Sequence, residues 1–201
     1  MDGDSAHAAY LCIAVDVEAV LGANGKAETE AAGSADAPIR PIAARSADVI
    51  ATSTAQRHPV DITARLPNAI VMAARVGDLL RIYAISGSDN FEGAVLLEDV
   101  QALSRSDAAD VLSAFELAAF EQIAVTPSAG PLCTGDVSTD AEFWFWQATI
   151  ENAGTQQCHA VLALYDRDDQ GQPRFAGLYR WDFKLTVTLM EASEQQSEGV
   201  V

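Results

Sequence analysis

The sequence predicts an all-β protein: an antiparallel two-sheet β-sandwich of jelly-roll-like form, with at most one or two short helices. Three observations predict it. Apolar and polar residues alternate over long stretches, turn signals recur at short intervals, and the best-patterned segments each have one polar face. The clearest stretch runs from Phe175 to Met190. There Tyr179, Trp181, Phe183, Leu185, Val187 and Leu189 share one side, while Arg180, Asp182, Lys184, Thr186 and Thr188 share the other. A helix that buried the first set would bury Asp182 and Lys184 with it.

In chain order, residues 1–9 read as a flexible leader. Leu11, Ile13, Val15 and Val17 alternate with Asp16 and Glu18, which predicts a first strand. From 22 to 46 the chain is Gly, Ala, Ser, Glu and Pro with few large apolar side chains, too little burial to offset the entropy of ordering it, so a long mobile loop is expected. Strand-like runs follow at Asp48-Val49-Ile50, Val60-Asp61-Ile62 and Ile70-Val71-Met72, with Pro59 and Pro67 limiting where pairing can occur. After a turn at Val76-Gly77-Asp78, Leu79 to Ile85 alternates until Gly87-Ser88-Asp89-Asn90, and another strand begins at Gly93-Ala94-Val95-Leu96-Leu97.

The segment Ser106 to Gln122 fits two periods. Ser106 can cap a helix carrying Val111, Leu112, Phe115, Ala118 and Ala119 on one face, whereas Phe115, Leu117 and Ala119 alternate; the reading is a short helix, then a strand to about Thr126. Pro127 to Asp140 is rich in Pro, Gly, Ser and Thr and reads as a connection. Glu142 to Glu151 is aromatic and β-branched, Asn152-Ala153-Gly154 is a turn, and Thr155 to Asp166 resumes alternation, which together predict a hairpin. Its second strand puts Cys158, Ala160, Leu162 and Leu164 on a buried face and Gln157, His159, Val161 and Tyr165 on the other. A polar tip from Asp166 to Pro173 leads into the final strand, where Gly177 relieves a bend. One domain over 10–190 results, with 191–201 a flexible tail.

The chain has 201 residues, of which 49% are hydrophobic, enough for a core. Twelve Lys and Arg against 29 Asp and Glu leave a net charge of −17, which repels phosphate backbones and anionic headgroups, so neither nucleic acid nor membrane is an expected partner. No apolar run approaches the roughly 20 residues of a spanning helix. The start, Met1-Asp2-Gly3-Asp4, is acidic where a secretory signal is basic. Three well-separated cysteines, Cys12, Cys133 and Cys158, make neither a disulfide framework nor a zinc spacing, and a reducing cytoplasm fits them.

Few residues suggest chemistry. His7, His58 and His159 have no partner at metal or triad spacing, and Gly77, Gly87 and Gly93 match no phosphate-binding loop. Cys12 and Cys158 read as packing residues. Asp166, Asp168 and Asp169 either hold a hard cation such as calcium or form a solvated hairpin tip; Arg167 in their midst favours the tip. No catalytic residue, metal or cofactor is expected. The aromatic run Phe143, Trp144, Phe145 and Trp146 covers both faces of one strand, so one pair should fill the core and the other should meet solvent, a second layer or a ligand. With His159 as a surface or interface imidazole, these four form the candidate ligand or interface set.

Several motifs in order carry a resemblance: Ile13-Ala14-Val15-Asp16, a Pro-bearing polar loop, Val76-Gly77-Asp78-Leu79-Leu80-Arg81, Phe143-Trp144-Phe145-Trp146-Gln147-Ala148-Thr149, and Gly177-Leu178-Tyr179-Arg180-Trp181-Asp182-Phe183. Over about residues 10 to 188 the chain resembles the bacterial inclusion-body family typified by PixA and AidA. It reads Trp181-Asp182-Phe183 where that family usually has a Trp-Asp-Pro turn, and it is poorer in Tyr through the middle. The resemblance implies a non-enzymatic protein made in quantity by Gram-negative bacteria, often under cell-density (quorum-sensing) control, associated with host interaction and sometimes stored as cytoplasmic inclusions. It brings no catalytic residues. The expected function is self-association into a homo-oligomer or binding of a glycan or protein partner; the alternatives are a lectin-like carbohydrate-binding module and a small cupin-like enzyme.

Overall fold

The computed structural model describes residues 7–24, 39–42, 47–53, 62–66, 68–87, 92–103, 109–127 and 135–190. Among the described residues the elements are β1 (Ala8–Val15), α1 (Val17–Asn24), β2 (Arg40–Pro41), β3 (Ala47–Ser53), β4 (Ile62–Leu66), β5 (Ala69–Ala74), β6 (Leu79–Ser86), β7 (Ala94–Leu103), β8 (Glu116–Pro127), β9 (Gly135–Thr149), β10 (Gly154–Arg167) and β11 (Pro173–Leu189). They build two sheets, ordered β3-β1-β6-β9-β8 and β4-β5-β11-β10-β7, with β2 pairing beside β11. The sandwich follows from the alternation, but its sheets are mixed instead of purely antiparallel. β1 runs parallel to β6, and β11 runs parallel to β2 and β5. The chain repeatedly leaves one sheet for the other, and a strand that returns after such a crossover can lie parallel to an earlier one. Alternation looks the same in either direction.

The two sheets close on one core. Leu11, Ile13, Leu80 and Ile82 come from the first sheet, and Leu162, Tyr179, Trp181, Phe183 and Leu185 from the second. Trp181 and Phe183 stack at 4.8 Å between centroids with planes 17° apart. Trp181 Nε1 is buried with no hydrogen-bond partner among the described residues. An indole that buries on the order of 200 Å² gains about 5 kcal/mol at 25 cal/mol/Å², which outweighs the roughly 1–3 kcal/mol of one unpaired donor.

Four local readings of the sequence are corrected. The first strand ends at Val15, where Asp16 caps α1: its Oδ1 accepts the Ala19 N–H at 2.9 Å, and its carbonyl accepts the Val20 N–H at 3.0 Å. Val17, Val20 and Leu21 are buried at helical spacing. Second, residues 109–115 form no helix. Val111 and Leu112 join the core, Leu112 bridges to Ile150, and the buried side-chain Oε1 of Gln156 accepts their N–H groups at 2.9 and 3.0 Å. The apolar residues that mimic a helical face cover the core, and Gln156 satisfies the backbone that a helix would have satisfied.

Third, the connection read over Pro127 to Asp140 is shorter, since Gly135 to Ser138 pair with Ala124 to Pro127. Fourth, β9 and β10 are not a hairpin. β9 pairs with β6 and β8, and β10 pairs with β7 and β11, so the turn at Asn152 to Gly154 carries the chain between sheets. Each strand alternates correctly, yet alternation does not choose a partner.

β1 begins at Ala8, inside the stretch read as leader, and α1 and β2 occupy parts of 22–46. His7 is tied down as well: its N–H donates to Asp78 Oδ1 at 3.2 Å and its carbonyl accepts the Leu79 N–H at 2.8 Å. The readings placed on residues 1–6, 25–38 and 43–46, on His58, Pro59, Val60, Asp61 and Pro67, on Ser88-Asp89-Asn90, Ser106 and Cys133, and on 191–201 lie outside the described residues.

Candidate functional site

β9 carries all four aromatic residues singled out above, and its neighbours decide what each one meets. Register aligns Ile82 of β6 with Trp146, Trp146 with Leu117 of β8, and Trp144 with Ala119. Both tryptophans therefore lie on the core-facing side of the sheet. Only Trp146 is covered there, packing against the core and donating from Nε1 to the Leu97 carbonyl of β7 at 3.0 Å. Beyond the Ile82–Trp146 pair β9 has β8 alone beside it among the described residues, and on this stretch Trp144 is 51% exposed. Leu117, on the same side, is 53% exposed.

Phe143 and Phe145 point away from the second sheet, yet Phe145 is only 1% exposed. Rings and a cation cover it. Phe120 lies 5.1 Å and Phe143 6.3 Å from its centroid, and the Arg81 guanidinium carbon lies 5.0 Å away. The expected division, one pair in the core and the other against solvent, a second layer or a ligand, is not by pairs: each pair contains one covered and one more open ring.

Arg81 organises this outer face. It stands on β6 between Tyr10 of β1 and Gln147 of β9 in the register. Its Nε donates to Gln147 Oε1 at 2.8 Å and its Nη1 donates to the Tyr10 hydroxyl. The guanidinium carbon is 4.6 Å from the Phe120 centroid and 5.3 Å from that of Tyr10. Each such contact contributes about 0.5–2 kcal/mol, so the rings replace part of the solvation that the half-buried charge has lost. Tyr83, two residues further on the same face, meets Phe143 edge-on at 4.9 Å. It also shares a side-chain hydrogen bond with Cys12; burial raises the pKa of both groups, and the neighbouring thiol adds to the rise at Tyr83.

Tyr10, Arg81, Tyr83 and Phe120 were not legible as a group. Each is an ordinary outward residue of an alternating strand, and they meet because β1, β6 and β8 are brought into one sheet, with β9 between β6 and β8. His159 does not join them. It lies on the outer face of the second sheet, between Asp182 of β11 and Gln101 of β7 in the register.

The acidic tip is a turn in which the carboxylates of Asp166 and Asp168 are engaged. Arg174 donates to both oxygens of Asp166 at 3.0 and 2.8 Å, Asp168 Oδ1 accepts the N–H groups of Gln170 and Gln172, and Gly171 takes a left-handed conformation at φ 76°. Next to the start of this tip a cleft of about 520 Å³ is lined by α1, Glu92, Gly93, Asp166 and Arg167. Among the described residues no three His, Cys, Asp or Glu side chains gather to hold a metal ion, and no helix is long and apolar enough to cross a membrane.

The family model described as PixA, inclusion body protein, matches residues 11–187. Among solved structures the chain is similar to the crystal structure of an inclusion body protein of that family from Burkholderia cenocepacia J2315, with 17% identity and a TM-score of 0.66 over 94% of this chain and 99% of that one. At that identity the likeness shows the fold. A cysteine protease inhibitor from Entamoeba histolytica aligns with a TM-score of 0.23 and 13% identity over 60% of this chain and 87% of its own, a likeness that bears on neither fold nor function. No curated protein matches the chain.

Proposed function

The chain belongs to the PixA inclusion body protein family, and from that premise we propose that it is a non-enzymatic protein that self-associates through the β8–β9 hairpin. The observation that carries the reading is the exposed side of this hairpin, where Leu117 and Trp144 stand more than half open. Apolar side chains grouped on a strand pair at the end of a sheet suit contact with another protein surface. β8 is the last strand of its sheet, so its outer backbone edge has no strand beside it among the described residues. Accumulation in the cytoplasm and a part in bacterial host interaction complete the proposal, supported by the family resemblance.

Light scattering after size exclusion, across a range of concentrations, tests it with the full chain. The native protein is expected to form oligomers whose mass rises with concentration. Burying the open half of a Leu or Trp is worth about 1 kcal/mol, so Leu117→Glu with Trp144→Glu should weaken association by at least about tenfold while circular dichroism still reports a β-protein. A native chain that stays monomeric at every concentration overturns the proposal.

A second reading, a carbohydrate-binding module, is supported by the rings around Arg81, because aromatic faces stack on sugar rings. A glycan array that stays blank, with and without calcium, removes that reading.

A further inference from the structure

We propose that Arg81 and Phe120 form a receptor for a carboxylate carried on a ring, of which a hexuronic acid is a simple biological example. The inference deepens the carbohydrate-binding reading by naming the site and the ligand class. It stands independently of hairpin-mediated self-association.

The starting point is an unbalanced charge. The chain carries 29 acidic residues against 12 basic ones, yet Arg81 makes no salt bridge among the described residues. The carboxylate aligned with it, Glu116, lies across Gln147 on β8, two strands away. Arg174 and Arg180, by contrast, each hold an aspartate, at 2.8 and 3.0 Å. A guanidinium half withdrawn from water gains more than an exposed one from meeting an anion, because less solvent competes.

Its remaining donors have a definite arrangement. Nε is committed to Gln147 and one Nη1 hydrogen to Tyr10, which leaves the Nη2 hydrogens and the second Nη1 hydrogen without a partner among the described residues. Those two nitrogens form the planar fork that matches two carboxylate oxygens. Gln147 and Tyr10 hold the side chain in place, so little freedom remains to be lost on binding. The guanidinium carbon lies over the Phe120 ring at 4.6 Å from its centroid, and the rest of that side chain, 49% exposed, is open beside the fork. A ligand that places a carboxylate on the fork while a ring face rests on Phe120 uses both features, whereas a neutral sugar uses only the ring and acetate only the fork. The net charge of −17 opposes the approach of any anion from a distance. At about 0.15 M salt that field is screened beyond roughly 8 Å, and the local fork decides binding.

The test is a titration of the 15N-labelled full chain with glucuronate, with glucose, acetate and benzoate as further arms, followed by amide chemical shifts. Glucuronate is expected to shift amides near Arg81 and Gln147 with saturation below about 10 mM, glucose to leave them in place, and acetate to bind more weakly than glucuronate. Benzoate, an aromatic carboxylate, separates the sources: binding as tight as that of glucuronate means that any ring will serve, and weaker binding means that the site prefers a sugar. Arg81→Gln should lose at least tenfold in affinity, and Arg81→Lys should lose most of it because an ammonium offers no fork. Phe120→Ala, a change at a half-exposed position, should weaken glucuronate by a larger factor than acetate. The proposal is overturned if no carboxylate moves these amides, or if folded Arg81→Lys and Phe120→Ala variants bind glucuronate as the native chain does. Light scattering of the same samples separates the two proposals, since loss of carboxylate binding with oligomers intact concerns only this site.

Discussion

The Cys158 thiol faces the core from β10, aligned with Phe183, and burial pushes its pKa up to about 12 from an ordinary 9.0. The native protein therefore keeps this proton at a pH where the unfolded chain has released it. The stabilising contribution is complete below about pH 9 and is lost as pH rises toward 12, at up to about 1.4 kcal/mol per pH unit for this group. Cys12, Tyr83 and Tyr179 are raised in the same direction, chiefly by burial. Urea unfolding between pH 8 and 11 should show stability falling as pH rises, with a shallower slope for Cys158→Ala; equal slopes would falsify the assignment. The buried position of Cys158 is legible in the sequence because alternation with Ala160 and Leu162 requires it. The role of Arg81 is not, because an arginine on the outward side of a strand looks the same whether water or three rings surround it.

In β11 a single extra residue sets the geometry. Leu164 pairs with Gly177 and Tyr165 with Phe175, so Ala176 is inserted as a bulge. Gly177 beside it has φ 147°, and a Cβ there would lie 3.2 Å from the Tyr179 ring. Gly177→Ala is therefore expected to cost about 1–3 kcal/mol. Gly22 of α1 is the contrast: it is helical and exposed with no atom within 4 Å of an added Cβ, so Gly22→Ala should gain up to about 1 kcal/mol. Chemical denaturation of both variants checks the pair, and equal midpoints would remove the bulge argument. The bend at Gly177 is visible from a glycine inside a long alternating run. The helix at Val17 is not, because Asp16 and Glu18 serve equally as the polar side of a strand and as the cap and first turn of a helix.

For the molecule as a whole, the net charge of −17 sets copies against one another, and in the proposed assembly the open side of the hairpin is what draws them together. Repulsion between surfaces is screened by salt, whereas apolar contact is not. Association should therefore strengthen as ionic strength rises, and again as pH falls toward the carboxylate range near 4. Sedimentation velocity at low and high salt measures this. Oligomers that dissociate on adding salt would show that ion pairs hold them, and the hairpin proposal would then lose its physical basis.

The amino-acid order by itself determined that the chain is a β-sandwich with Tyr179, Trp181, Phe183 and Leu185 inside, since a period of two with one apolar side has no other stable solution in water. It also determined the acidic surface. Tertiary structure decided which strands are neighbours, which pairs run parallel, that the turn after β9 passes between sheets, and that Arg81 meets Tyr10, Phe120 and Phe145. The reason is that alternation states which side of a strand is apolar and carries no information about what lies beside it. Partners are selected by packing across the whole core and by the path of the connections, and both exist only once the chain has closed on itself.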